Sequence, residues 1–262
     1  QVDGIVLCSS RLPAAKLATL DHSPTVVLLN RRAPGRASVV VDSADGMKQA
    51  VRHLAELGHR RCVFVSGPRR SWSNQQRRRG LRAAARAHGI EYVVLGPVAP
   101  QFQSGVEWAE RVLETGTTAV VAYNDLVAVG ILSRLAELGV RVPEQLSVVG
   151  FDDIPLAAMV IPPLTTVSLP TMRAGEAAVD VLLERLQSRG SVQPTARKLP
   201  ATLIVRSTTG RPPRRSKRTG GPLSSPPALS RRATSAKAGH ARAEKVYSRG
   251  TQKLLQRTEL TR

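Results

Sequence analysis

The sequence predicts an α/β fold with parallel sheets, from two observations. A strand-like run, a helical pattern and a second strand-like run follow one another between residues 118 and 153. Each strand-like run also ends in polar residues. Residues 119–123 form a short apolar run of β type, which stops at Asn124-Asp125. Asn and Asp suit an N-cap, because their side-chain oxygens accept from the free N–H groups of a first helical turn. Val127, Ile131, Leu135 and Leu138 then recur at helical spacing. Gly139 tolerates the left-handed φ of a helix C-terminus. A second apolar run, 147–150, ends at Phe151-Asp152-Asp153. Parallel sheets bind ligands at the carboxyl ends of their strands. Asn124 and Asp152 are therefore expected on neighbouring strand ends, facing one crevice.

Three runs, NDLVAVG (124–130), VPEQLSVVGFDD (142–153) and PPLTTV (162–167), occur in a definite order and spacing. Together they resemble the effector-binding core of lac-repressor-type (LacI/GalR) transcription regulators. The resemblance implies a two-lobed, periplasmic-binding-protein-like fold whose lobes close on a small molecule. Any one run would fit helix capping alone. The three together favour ligand contact for Asn124 and Asp152.

A length of 262 residues suits one large domain or two small ones. Hydrophobic residues reach 42%, enough for a sizeable core, but aromatics only 3%, so that core is aliphatic and alanine-rich. Cys8 and Cys62 lie far apart within apolar runs and read as small buried hydrophobes, not as a disulfide framework or metal site. No apolar run approaches the ~18 residues that span a membrane. The chain opens on Gln1 with no charged segment before an apolar stretch, so it does not read as secreted.

Residues 1–9 read as a buried strand, 13–20 as a short helix and 25–29 as a second strand. By resemblance these belong to the first lobe, and two βα units plus a helix-turn-helix and hinge precede them in the family. The first lobe is therefore expected to be incomplete, with an unpaired strand edge. Asn30 matches an aspartate of the family pattern, keeping hydrogen bonding but losing a charge. Arg31 beside it is either a ligand contact or a solvated loop arginine.

Residues 38–42 (SVVVD) form the next strand-like run. Asp42 or Ser43 caps the following helix, whose apolar stripe is Met47, Ala50, Val51, Leu54 and Leu57. Asp42 also joins the expected ligand set. The segment 41–68, with LGHRR at its centre, resembles the family closely. No nucleophile motif accompanies His59, which reads as a helix C-terminal residue bonding the last carbonyls. In the next stretch, 71–89, where Leu81, Ala84, Ala85 and His88 mark a helix face ended by Gly89, the family places an arginine three residues before a glycine, matching Arg77 and Gly80. Arg77 can direct several donors at ligand oxygens, whereas Arg78 and Arg79 lie on other faces. The family also places an aromatic residue about five before a later glycine. Counting back from Gly105 gives Pro100, a departure that leaves Phe102 nearby as the stacking candidate. Trp108 reads as packing. Residues 171–187 form a helix with Met172, Ala178, Val179, Leu182, Leu183 and Leu186 apolar, and 199–208, ending in RST, resembles the family's closing strand.

The expected division is residues 1–37 with 166–197 as the remnant first lobe, 38–165 with 198–209 as the second, and 210–262 as a tail. Residues 211–262 carry 14 Lys and Arg against two acids, a net +12 of the chain's +20. Rich in Pro, Ser and Gly, the tail reads as disordered. It either binds nucleic acid or acidic surfaces by counterion release, or is an extension without a partner, the preferred reading.

Two function classes compete. By resemblance, the first is the sensing domain of a cytoplasmic DNA-binding regulator, acting as a homodimer on a sugar or related metabolite. Its operator DNA would be bound only through a domain before Gln1. The alternative is the solute-binding protein of a sugar transport system. No P-loop, G-x-S-x-G, H-E-x-x-H or Cys-x-x-Cys motif points to an enzyme. No catalytic residue, cofactor, metal or membrane partner is expected.

Overall fold

The computed structural model describes residues 2–18, 20, 25–188 and 195–213. It contains ten strands and seven helices among these residues. In chain order the first half runs β1 (Gly4–Cys8), α1 (Ala14–Ala18), β2 (Thr25–Leu29), β3 (Ala37–Val41), α2 (Ser43–Glu56), β4 (Arg61–Val65), α3 (Trp72–His88) and β5 (Glu91–Leu95). The second half runs α4 (Phe102–Glu114), β6 (Ala119–Ala122), α5 (Asp125–Glu137), β7 (Ser147–Asp152), α6 (Pro155–Met159), β8 (Thr165–Ser168), α7 (Thr171–Gln187), β9 (Ala196–Leu199) and β10 (Thr202–Ile204).

Two sheets result. The first has four strands in the order β1-β2-β3-β9, all parallel. The second has six in the order β10-β8-β7-β6-β4-β5, parallel except for β10 against β8. Parallel strands need both faces covered. Accordingly β3, β6 and most of β7 are buried along their length. In the first sheet, α7 packs on β1, β2 and β3. Leu17, Val26 and Leu28 form a separate small cluster.

Local signals set the helix ends as the sequence implies. Asp42 Oδ1 accepts from Asp45 N at the start of α2, and Asn124 Oδ1 accepts from Val127 N at the start of α5. Gly58, Gly89 and Gly139 follow their helices with positive φ. Among the expected stripes, α2 and α5 bury theirs apart from Leu57 and Leu138 near the C-termini.

Strand pairing departs from the expected division at three places. Residues 38–42 were expected in the second lobe, but 38–41 fall in β3, an inner strand of the first sheet. A staggered register, Val27 opposite Ala37, lets the chain return to parallel pairing through a short loop. Residues 166–169, expected in the first lobe, lie mostly in β8, buried between β7 and β10 in the second sheet. Of the closing strand expected at 199–208, only 202–204 form a strand, β10, while Leu199 ends the preceding strand β9. β9 pairs with β3, and β10 turns onto β8.

Four smaller expectations also fail. Cys8 is exposed rather than buried, because β1 is the outer strand of its sheet. Met172, Val179 and Leu183 of α7 are exposed, since Ala174, Ala178 and Val181 form the buried face. His59 does not cap α2 with its ring. It is buried, its Nδ1 2.8 Å from Thr118 Oγ1 and its Nε2 2.9 Å from the Gly210 carbonyl. The tail begins later than 210, because Gly210 N also donates to Ser147 Oγ. The rest of the basic tail, 214–262, lies outside the described residues.

Candidate functional site

A cavity of about 490 Å³ opens where the carboxyl ends of strands from both sheets meet. Ser9 and Asn30 come from the ends of β1 and β2. Tyr123, Asp152 and Asp153 follow or end β6 and β7, and Arg77 reaches in from α3.

The backbone around this cavity is strained. Among the described residues, four non-glycine residues have positive φ: Ser9 at 47°, Asn30 at 53°, Asp152 at 107° and Asp153 at 55°. All four line this one cavity. Such conformations cost on the order of 1–3 kcal/mol each and persist only where surroundings enforce them. Here Ser9 N donates to Leu29 O at 2.7 Å and Asn30 N to Val39 O at 2.8 Å. Asn30 Oδ1 also accepts from Val41 N, tying the two strand ends together.

Arg77 organises the second-sheet side. Its Nη2 donates to Asp152 Oδ1 at 3.1 Å and its Nη1 to the Tyr123 carbonyl. The guanidinium lies 4.1 Å from the Phe151 ring centroid and 4.8 Å from that of Tyr123. A planar, weakly hydrated cation suits contact with two rings better than a compact, strongly hydrated ammonium does. Burial raises the Asp152 pKa, and Arg77 works against that rise.

The Asp152–Asp153 turn has two further supports. Arg206, in the RST run, holds Asp153 Oδ1 at 2.7 Å. Asp125 is buried, its Oδ1 accepting from Thr166 Oγ1 at 2.5 Å and its Oδ2 from Ile154 N at 2.9 Å. Gly150 makes room for that carboxylate, since a Cβ there would stand 2.1 Å from Asp125 Oδ1. Burial pushes the Asp125 pKa up to about 6, with Asp152 and Asp153 adding to the rise.

Of the residues singled out in the sequence, Asn30, Arg77 and Asp152 line this cavity together. The other four do not line it. Asn124 caps α5, and its Nδ2 is 3.4 Å from Pro100 O. Phe102 opens α4 and is exposed. Arg31 turns back to Leu12 O at 3.3 Å. Asp42 caps α2, pairs with Lys198 and lines a different cavity. Sequence reading missed Tyr123, Asp125 and Asp153. The second aspartate of FDD and the arginine of RST were the available signals for Asp153, since opposite charges near strand ends can pair.

Comparison with known proteins agrees with this architecture. Residues 51–209 match the family model described as a periplasmic binding protein-like domain. The HTH-type transcriptional repressor CytR of Escherichia coli strain K12 is 33% identical over 218 residues, covering 80% of this chain and 63% of that protein. The chain thus spans less than two thirds of that relative's length. A LacI family transcriptional regulator from Mycobacterium smegmatis superposes with a TM-score of 0.72 at 34% identity, covering 81% of this chain and 80% of that one. A LacI family regulator from Enterococcus faecium, solved with bound ribose, has a TM-score of 0.72 at 27% identity, covering 80% of each chain. The chain belongs to the periplasmic binding protein-like family, in the branch represented by the LacI-type transcriptional regulators.

Proposed function

We propose that this chain is the sensing part of a LacI-type transcriptional regulator, binding a sugar or related polyhydroxylated metabolite at the Arg77–Asp152 cavity. The observation that carries the reading is the convergence of the four positive-φ non-glycine residues found among the described residues on the cavity that holds this ion pair. In this reading the Asp152 carboxylate accepts from ligand hydroxyls, Arg77 and the Asn30 amide donate to ligand oxygens, and the Tyr123 ring supplies a flat wall. The lining comes from both sheets, so a bound ligand favours their approach and shifts the population of lobe arrangements.

Binding rather than catalysis fits the commitments of the carboxylates. Asp152 pairs with Arg77, Asp153 with Arg206, and Asp125 with Thr166 and Ile154. We assign the regulator a cytoplasmic location and operator DNA as a partner through a segment outside this chain. We also assign it a homodimeric state, for which Leu156, Met159 and Ile161, exposed in α6 and the loop after it, offer an apolar surface. The transcriptional regulators among its relatives favour this reading over a transport solute-binding protein.

Calorimetry with ribose and a panel of pentoses, hexoses and nucleosides tests the proposal. At least one is expected to bind saturably, with Asp152→Ala abolishing the signal. Absence of binding across the panel, or binding indifferent to Asp152→Ala, would overturn it.

A further inference from the structure

A second cavity, of about 370 Å³, shares no lining residue with the first. Its size is within the range of small-molecule sites. Val40 and Val41 of β3 contribute to its lining, and α2 and α3 flank it. The helices cross closely there, since a Cβ on Gly80 would stand 2.1 Å from Ala44 O. Trp72, Gln76 and Arg79 recur at helical spacing and present one stripe of α3 to the cavity.

The charge around it is one-sided. Arg32, Lys48, Arg79 and Lys198 line the cavity, against one acid, Asp42. Asp42 is already committed, with Oδ1 capping α2 and Oδ2 paired with Lys198. Among the described residues, Arg32, Lys48 and Arg79 have no carboxylate within ion-pair distance. A neutral sugar gains little from three unpaired cations, and a cation is repelled. A compact polyanion satisfies all three at once, because guanidinium and ammonium groups make their strongest hydrogen bonds to charged oxygens.

We propose that this cavity is a second ligand site, for a small phosphate-bearing metabolite, distinct from the Arg77–Asp152 cavity. The phosphate sits among Arg32, Lys48 and Arg79, and the Trp72 ring covers the organic part. Arg32 and Lys198 belong to the first sheet's loop and edge strand, whereas α2 packs on β8 and β10 of the second. An anion bridging them ties the two sheets together at a place the first cavity does not touch. Its binding is therefore coupled to that of a ligand in the first cavity, and the coupling is reciprocal. The site stands on its own lining and does not depend on the sugar reading.

The chain has two tryptophans, Trp72 and Trp108. In the full chain carrying Trp108→Phe, emission then reports on Trp72 alone. Titration with inorganic pyrophosphate at constant ionic strength is expected to change that emission saturably. Adding Lys48→Gln and Arg79→Gln, both at exposed positions, is expected to weaken the response about ten-fold or more at unchanged melting temperature, the scale of losing charge-assisted contacts. Pyrophosphate held only by the basic tail would leave Trp72 silent and overturn the proposal. So would equal affinity in the double variant.

Discussion

Arg77 Nη2 and Asp152 Oδ1 stand 3.1 Å apart across 75 residues of sequence, joining α3 to the end of β7. The arginine is 3% exposed and the aspartate 34%, so the pair lies at the wall of the cavity rather than in the core. That position lets one carboxylate both hold the guanidinium and remain reachable by a ligand.

Asp152→Ala leaves a buried guanidinium with its Tyr123 carbonyl contact but no counter-charge. We expect a loss of about 1–3 kcal/mol in unfolding free energy, read from urea denaturation. Asp152→Asn keeps an acceptor oxygen and is expected to lose less. An unchanged midpoint for Asp152→Ala would show that the pair contributes nothing to stability.

Asp125 gives stability an unusual pH dependence. Its pKa is 3.8 in a solvated chain and about 6 when folded. Between these values the folded state holds the proton more tightly than the unfolded state, so this group's contribution falls as pH rises from about 4 to 6. Above that window the full cost of an ionised buried carboxylate remains. Asp125→Asn removes the titration. The difference in unfolding free energy between wild type and variant is expected to move by on the order of 2–3 kcal/mol across the window. Parallel pH curves for the two proteins would refute this.

His59 works in the opposite sense. Its Nε2 faces the Gly210 carbonyl, which can only accept, so Nε2 carries the proton. Nδ1 then accepts from the Thr118 hydroxyl. Burial lowers its pKa from 6.5, the Gly210 bond partly offsetting this and His53 adding to it. The stability of the neutral ring is fully present above pH 6.5 and is lost as pH falls through the folded value. NMR titration is expected to show His59 protonating below 6.5. At neutral pH, His59→Ala is expected to cost about 1–3 kcal/mol by leaving buried partners unpaired. A ring that titrates at or above the ordinary histidine value would contradict the assignment.

Ile161 is 95% exposed and Met159 71%. If the proposed homodimer uses this surface, Ile161→Arg is expected to convert dimer to monomer in sedimentation velocity without shifting the melting temperature of the monomer. A dimer unaffected by the substitution would place the interface elsewhere.

The sequence by itself determined what depends on neighbours along the chain. Alternating apolar runs and helical stripes gave the α/β class, Asp42 and Asn124 were readable as caps, and the resemblance of the Arg77–Gly80 spacing to the family pattern put Arg77 in the expected ligand set. Tertiary structure decided what depends on strangers in sequence. Residues 38–42 and 166–169 are apolar enough to serve in either sheet, and only their pairing partners, β2 and β9 for one and β7 and β10 for the other, settled which. Asn124 and Asp152 looked equivalent as polar residues after strands. Yet Asn124 spends its oxygen on a helix N–H, while Asp152 meets a guanidinium from another helix. Asp125 and His59 gave no sign of their burial. A carboxylate can be buried at position 125 because Gly150 leaves it space, and the imidazole at 59 because Gly210 and Thr118 satisfy both nitrogens. Hydrophobic periodicity records which side of an element faces inward, but not which element it will face.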